Sequence, residues 1–87
     1  MTREEVQIGL KEIVLDILEA DTDVSDFNEE DDLVEDLDMD SLQAVSMLVH
    51  IERRFQVALP EAEMNKFRTL RSVVDLVMAN MENASRR

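Results

Sequence analysis

The chain has 87 residues, with 21 Asp and Glu against 9 Lys and Arg, a formal net charge of −12 at pH 7. That length fits one domain (residues 1–87) with a modest core, one that buries roughly 60% of the surface its unfolded chain exposes. The charge has the wrong sign for nucleic acid, the lack of cysteine removes disulfides and thiolate metal sites, and no run nears the about 18 apolar residues of a membrane span. Met1-Thr2-Arg3-Glu4-Glu5 has neither the basic region nor the apolar stretch of a secretory signal. A soluble, cytoplasmic protein is expected. Lys and Arg are absent between Lys11 and Arg53, an interval rich in Asp and Glu. Partners with basic patches, or divalent cations, suit such a surface.

Thr2 with Glu5 three residues on predicts a capping box and a helix over 2–19. Val6, Leu10, Ile13, Val14 and Ile17 recur along one face, and Ile8, Leu15 and Leu18 widen it. Gly9 lies inside the pattern and weakens it by about 1 kcal/mol relative to Ala. Residues 20–40 read as a long acidic loop. Val24, Phe27, Leu33, Val34 and Leu37 should pin it across the core, with a helical turn near Glu29–Leu33.

Asp40 followed by Gln43 repeats the helix-start signature, and residues 41–55 carry the clearest helix. Ala44, Leu48, Ile51 and Phe55 form a stripe that should face the core. Leu42, Val45 and Val49 form a second stripe beside it. A surface helix of a small bundle needs only one, so this helix is either the central element or exposes a face for a cavity or a partner.

Val57-Ala58-Leu59-Pro60 reads as an extended connector. A short helix should follow with Pro60 at its first position, ending near Phe67. Thr69 can cap a last helix with a stripe of Leu70, Val73, Val74, Val77 and Met81, and residues 82–87 read as a frayed tail. The expected fold is all-α: a small four-helix bundle of three principal helices plus one short helix, with a long loop between the first and second.

Three chemistries are open to these residues. Asp36, Asp38 and Asp40 match the 1, 3, 5 spacing of an EF-hand loop, but Ser41 stands where its Gly belongs and Met47 where its bidentate Glu belongs. Weak cation binding at Asp36 and Asp38 is what remains. Catalysis lacks a constellation. His50, the one histidine, is about two and a half helical turns from Ser41, and no nucleophile elbow or phosphate loop is present. Ser41 itself falls in the first turn of a helix, where free backbone N–H groups favour an anion. An unmodified helical interaction domain would use the same apolar stripe.

The run Leu33-Val34-Glu35-Asp36-Leu37-Asp38-Met39-Asp40-Ser41-Leu42, continuing through Val45, Ile51-Glu52 and Phe55 to Leu59-Pro60, resembles the acyl carrier protein family along essentially the whole chain. The resemblance implies that a phosphopantetheinyl transferase attaches 4′-phosphopantetheine from coenzyme A to Ser41 through a phosphodiester. The arm's thiol would hold acyl groups as thioesters, and the carrier would perform no catalysis. Asp40 would be the helix cap and a transferase contact, and Leu42, Val45, Val49 and Glu52 the docking and acyl-cleft residues. Implied partners are an acyl-loading enzyme and a ketosynthase or acyltransferase with basic docking patches, meeting a monomeric carrier of fatty-acid, polyketide or related lipid biosynthesis. Asp38 replaces the family's usual Gly, so the turn into the helix is expected to be less permissive. Gln43, Ser46, Arg53 and Arg54 stand where fatty-acid carriers tend to have acids, which points towards a specialised carrier.

Overall fold

In the computed structural model, which describes residues 2–19 and 21–85, three α-helices carry the fold: α1 (Arg3–Leu18), α2 (Ser41–Phe55) and α3 (Leu70–Ser85). Short 3-10 turns lie at Val24–Asp26 and Glu61–Lys66. The described residues form no strand.

α1 starts on the predicted box. Thr2 Oγ1 accepts the Glu5 N–H at 3.2 Å, and the Glu5 carboxylate accepts the Thr2 N–H at 3.0 Å. Val6, Leu10, Ile13 and Val14 are buried, with Ile17 and Leu18 packed at the edge, whereas Ile8 faces solvent. α1 lies against both α2 and α3, which touch each other only sparingly. The central helix is therefore α1, and its wide apolar face serves two neighbours. Gly9 explains how α2 comes so close: a Cβ there would stand 2.8 Å from Phe55 Cζ and 3.3 Å from Arg54 Nε. Its missing side chain makes room for the Phe55 ring, which offsets the helix propensity lost.

On α2 the buried stripe is Met47, Leu48, Ile51 and Phe55, with Ala44 only half-buried. Arg53 and Arg54 occupy the last turn, where the carbonyl end of a helix favours cations. Arg54 also pairs with Glu12 of α1 at 2.5 Å. The expected short helix is a 3-10 turn. Pro60 stands just before it with extended backbone (φ −62°, ψ 143°) rather than inside it. Thr69 caps α3 as predicted, its Oγ1 accepting the Ser72 N–H at 3.1 Å while Ser72 Oγ accepts the Thr69 N–H at 3.0 Å. Leu70, Val73, Val74, Leu76 and Val77 are buried. α3 remains helical through Ser85, inside the stretch expected to fray, and Arg86 and Arg87 lie outside the described residues.

The long loop is tied to the start of α3 by backbone bonds: Leu33 N–H to Arg68 O at 2.8 Å, Leu70 N–H to Asp31 O at 3.2 Å and Arg71 N–H to Glu29 O at 2.9 Å. Glu29 also meets Arg3 at 3.3 Å and Arg71 at 3.4 Å, while Arg71 reaches Glu30 at 2.6 Å. Of the expected anchors, Leu33 is buried, Phe27 and Leu37 pack on the core edge and Val24 is half-buried. Val34 is exposed instead, and Met39 takes its place in the core. The helical turn lies at residues 33–37, later than predicted.

Candidate functional site

The approach to Ser41 is built from local hydrogen bonds. Asp32 Oδ1 accepts the N–H groups of Val34 and Glu35, each at 2.9 Å, and so caps the turn that follows. These backbone bonds, that of Glu35 foremost, hold the Asp32 carboxyl below the usual carboxylate range, with a smaller contribution from Arg68. Asp36 closes the same turn from the other side, accepting the Asp32 N–H at 2.7 Å. Asp38 then takes a left-handed backbone, φ 55°, which glycine adopts freely and Asp tolerates. That reversal sends the Met39 N–H back to Leu33 O at 2.9 Å and seats the Met39 side chain in the core. The departure at Asp38 is thus absorbed as a left-handed residue within a closed turn.

Asp40 follows in extended conformation as the N-cap of α2. Its Oδ1 accepts the Gln43 N–H at 2.8 Å, and its own N–H donates to Gln43 Oε1 at 3.0 Å. The box fixes Ser41 at the first helical position. Ser41 is exposed, and its hydroxyl has no hydrogen-bond partner among the described residues. Neither its N–H nor that of Leu42 finds an acceptor there. A free hydroxyl beside two free N–H groups is accessible to a transferring phosphorus and can solvate the resulting phosphodiester. The surrounding carboxylates, Glu35, Asp36, Asp38 and Asp40, work against capture of a free anion. Such a helix start suits a covalently attached phosphate better than a free one.

Other sequence candidates resolve differently. Asp36 and Asp40 each have an oxygen engaged in backbone capping, and no three acids or histidines among the described residues gather into a metal-binding group. His50 Nδ1 lies 2.7 Å from Ser46 O, and Nε2 lies 3.9 Å from Asp16. Together with Glu12, Ile13, Arg53 and Arg54, His50 borders a depression of about 420 Å³ between α1 and α2. The structure does not bring it to Ser41.

Leu42, Val45 and Val49 run down the outer side of α2 at 79%, 46% and 40% exposure. They form a solvent-facing strip that begins one residue beyond Ser41. Glu52 is turned to the connector, where its carboxylate accepts the Leu59 N–H at 3.0 Å. That bond orders the 57–60 segment after α2. Sequence reasoning missed Asp32 as the cap of the approach and Met39 as its buried anchor. The Asp32-x-x-Glu35 spacing was the available signal for the first.

Comparisons with known proteins agree with this geometry. The sequence model of the family described as "Phosphopantetheine attachment site" matches residues 9–77. The chain is 36% identical over 72 residues to polyketide-8 synthase acyl carrier protein 2 of Streptomyces avermitilis, covering 83% of this chain and 80% of that protein. It is 34% identical over 77 residues to an acyl carrier protein of Acidothermus cellulolyticus (88% and 89% covered), and 35% over 78 residues to one of Rubrobacter xylanophilus (90% and 94%).

Proposed function

The chain belongs to the phosphopantetheine-attachment family of acyl carrier proteins, and from that premise we propose that Ser41 is the residue that carries the group. The observation behind this assignment is the free, exposed Ser41 hydroxyl at a capped helix start. When bound, 4′-phosphopantetheine supplies a terminal thiol that holds acyl groups as thioesters in fatty-acid or polyketide synthesis. The work of the chain is to present. The Asp40–Gln43 box fixes the direction in which Ser41 Oγ leaves the protein, and the closed turn behind it limits play in that direction. The serine proton passes to a base of the transferase, since no imidazole of this chain lies near Ser41. The protein is a carrier and leaves the chemistry of acyl transfer to its partner enzymes.

The exposed strip of Leu42, Val45 and Val49 supports docking by a phosphopantetheinyl transferase, an acyl-loading enzyme and a ketosynthase or acyltransferase. Glu52, one oxygen of which is bonded to the connector, stands beside Val45 and Val49 and belongs to the same docking surface. We read residues 1–87 as one monomeric, cytoplasmic carrier domain, in which the Glu61–Lys66 turn serves as the short fourth helix. The described helices include none long and apolar enough to cross a membrane.

Intact mass after incubation with coenzyme A and a broad-specificity transferase tests the assignment. The wild type is expected to gain one phosphopantetheine and Ser41→Ala none. A gain that persists in Ser41→Ala moves the site elsewhere, and no gain in either protein, with a control carrier modified, refutes the assignment.

A further inference from the structure

The exposed face of α2 does not end with its valines. At 100° per residue, Arg53 falls within about 40° of the line of Leu42 and Val49, eleven residues on from Leu42 and about 16 Å along the axis, where it also borders the depression shared with Glu12 and Asp16. Its neighbour Arg54 turns to Glu12, whereas Arg53 is exposed and makes no ion pair among the described residues. Arg54 already places a cation at the carbonyl end of α2, where the helix dipole favours one. The opposite end has the opposite charge: Glu35, Asp36, Asp38 and Asp40 precede Ser41, and none of them meets a Lys or Arg among the described residues. Between the two ends the helix carries one carboxylate, that of Glu52, and one of its oxygens is bonded to the connector.

Resting on the carrier reading, we propose that this face fits a partner enzyme whose docking surface is itself bipolar, with a basic group opposite the acidic approach to Ser41, an apolar strip along Leu42, Val45 and Val49, and a carboxylate opposite Arg53. Arg53 is then a specificity-determining residue. Against a uniformly basic patch it brings like charges together at the rim, where charge acts mainly on the rate and salt dependence of encounter. A bipolar partner turns the same contact into attraction and also fixes which way along α2 it binds.

The test uses wild type, Arg53→Gln and Arg53→Glu, each first loaded with phosphopantetheine and checked by intact mass, so that failure of the carrier reading shows separately. Far-UV circular dichroism confirms that the exposed substitutions leave the helices in place. Each protein then serves as acceptor for a malonyl-transferring acyltransferase with an all-basic docking patch. It serves likewise for a variant of that enzyme in which the patch lysine furthest from the Ser41 contact is changed to glutamate. With the all-basic enzyme, Arg53→Glu is expected to raise kcat/KM about tenfold, and with the variant to lower it about tenfold, Arg53→Gln falling between. The coupling should fade as salt approaches about 0.5 M, where the Debye length is short. Agreement of all three proteins within about twofold on both enzymes, with the salt series flat, would overturn the proposal. A wild-type dimer in sedimentation velocity that Leu42→Asp dissociates would also overturn it, by assigning the face to a second copy of the chain.

Discussion

Two adjacent acidic stretches, residues 29–33 of the long loop and 34–42 at its junction with α2, have opposite fates. In the first, two of the four acids are paired: Glu29 and Glu30 meet Arg3 and Arg71, the backbone is bonded to the start of α3, and Leu33 is buried at 1% exposure. In the second, Glu35, Asp36, Asp38 and Asp40 have no cationic partner among the described residues, and Val34 and Leu42 stand 58% and 79% exposed. The first stretch spends its residues on holding the chain together. The second is held by local caps and by the buried Met39, while its charge and the apolar surface of Val34 and Leu42 are left unmatched by the chain. The contrast marks residues 34–42 as the stretch left open to other molecules more directly than charge or hydropathy does.

The sharpest test of that division is a pair of neighbouring truncations. Leu33→Ala removes a fully buried side chain and should cost about 2–5 kcal/mol. In a domain of this size such a loss approaches the whole stability. Val34→Ala, one residue on, should stay within about 0.5 kcal/mol of wild type. Urea unfolding followed by far-UV circular dichroism measures both. Similar losses at the two positions would mean that Val34 is packed in solution and that the division falls elsewhere.

How much of this was legible in the sequence follows the range of the interactions. The Thr2–Glu5, Asp40–Gln43 and Thr69 caps were readable because both partners lie within three residues of each other. The all-α class and the buried stripe of α3 followed from helical periodicity. Ser41 stood out because of the frame around it. What escaped depended on distant partners. Without a regular period, nothing local told Val34 from Met39, and the choice was made by the left-handed Asp38 and the bond from Met39 back to Leu33. Met47 sits three residues from Ala44 and lay within reach of the stripe, but a count by fours and sevens passes over it. The role of Gly9 required knowing that the Phe55 ring crosses α1 there. α1 proved central because it packs on two helices, a relation that its own periodicity does not contain.

Asp38 offers a smaller effect that sharpens the same boundary. A left-handed backbone costs an ordinary L-residue about 1–2 kcal/mol and Asp somewhat less, while glycine gives back part of the gain through a freer unfolded chain. Asp38→Gly should therefore stabilise by up to about 1 kcal/mol, seen as a rise of several degrees in thermal midpoint. It also removes one of the unmatched charges. Asp38→Asn, which tolerates the same backbone without the charge, separates the two causes. If Asn gives the whole rise, repulsion rather than backbone strain dominates at this turn.

The smallest effect is read on the acid side. The carboxyls of Asp32, Asp26 and Glu5 are all held below their ordinary values, Asp32 and Glu5 chiefly by backbone N–H bonds and Asp26 by the Thr22 hydroxyl and the Asp23 N–H. A group whose pKa is depressed by folding stabilises the fold fully above its unfolded pKa, about 4 for these residues. That contribution is lost as pH falls through the lower folded value, because the unfolded state then binds more protons. The thermal midpoint should therefore fall as pH drops below about 4. At pH 7, added salt or Mg²⁺ should raise it by screening the unmatched acids of residues 34–40. Asp32→Asn keeps an oxygen to accept the Val34 and Glu35 N–H groups but cannot titrate, so its midpoint should fall less steeply below about pH 4 than that of wild type. An unchanged acid slope would show that Asp32 does not hold the turn before Ser41, and the ordering of that approach would have to come from Asp36 and the buried Met39 alone.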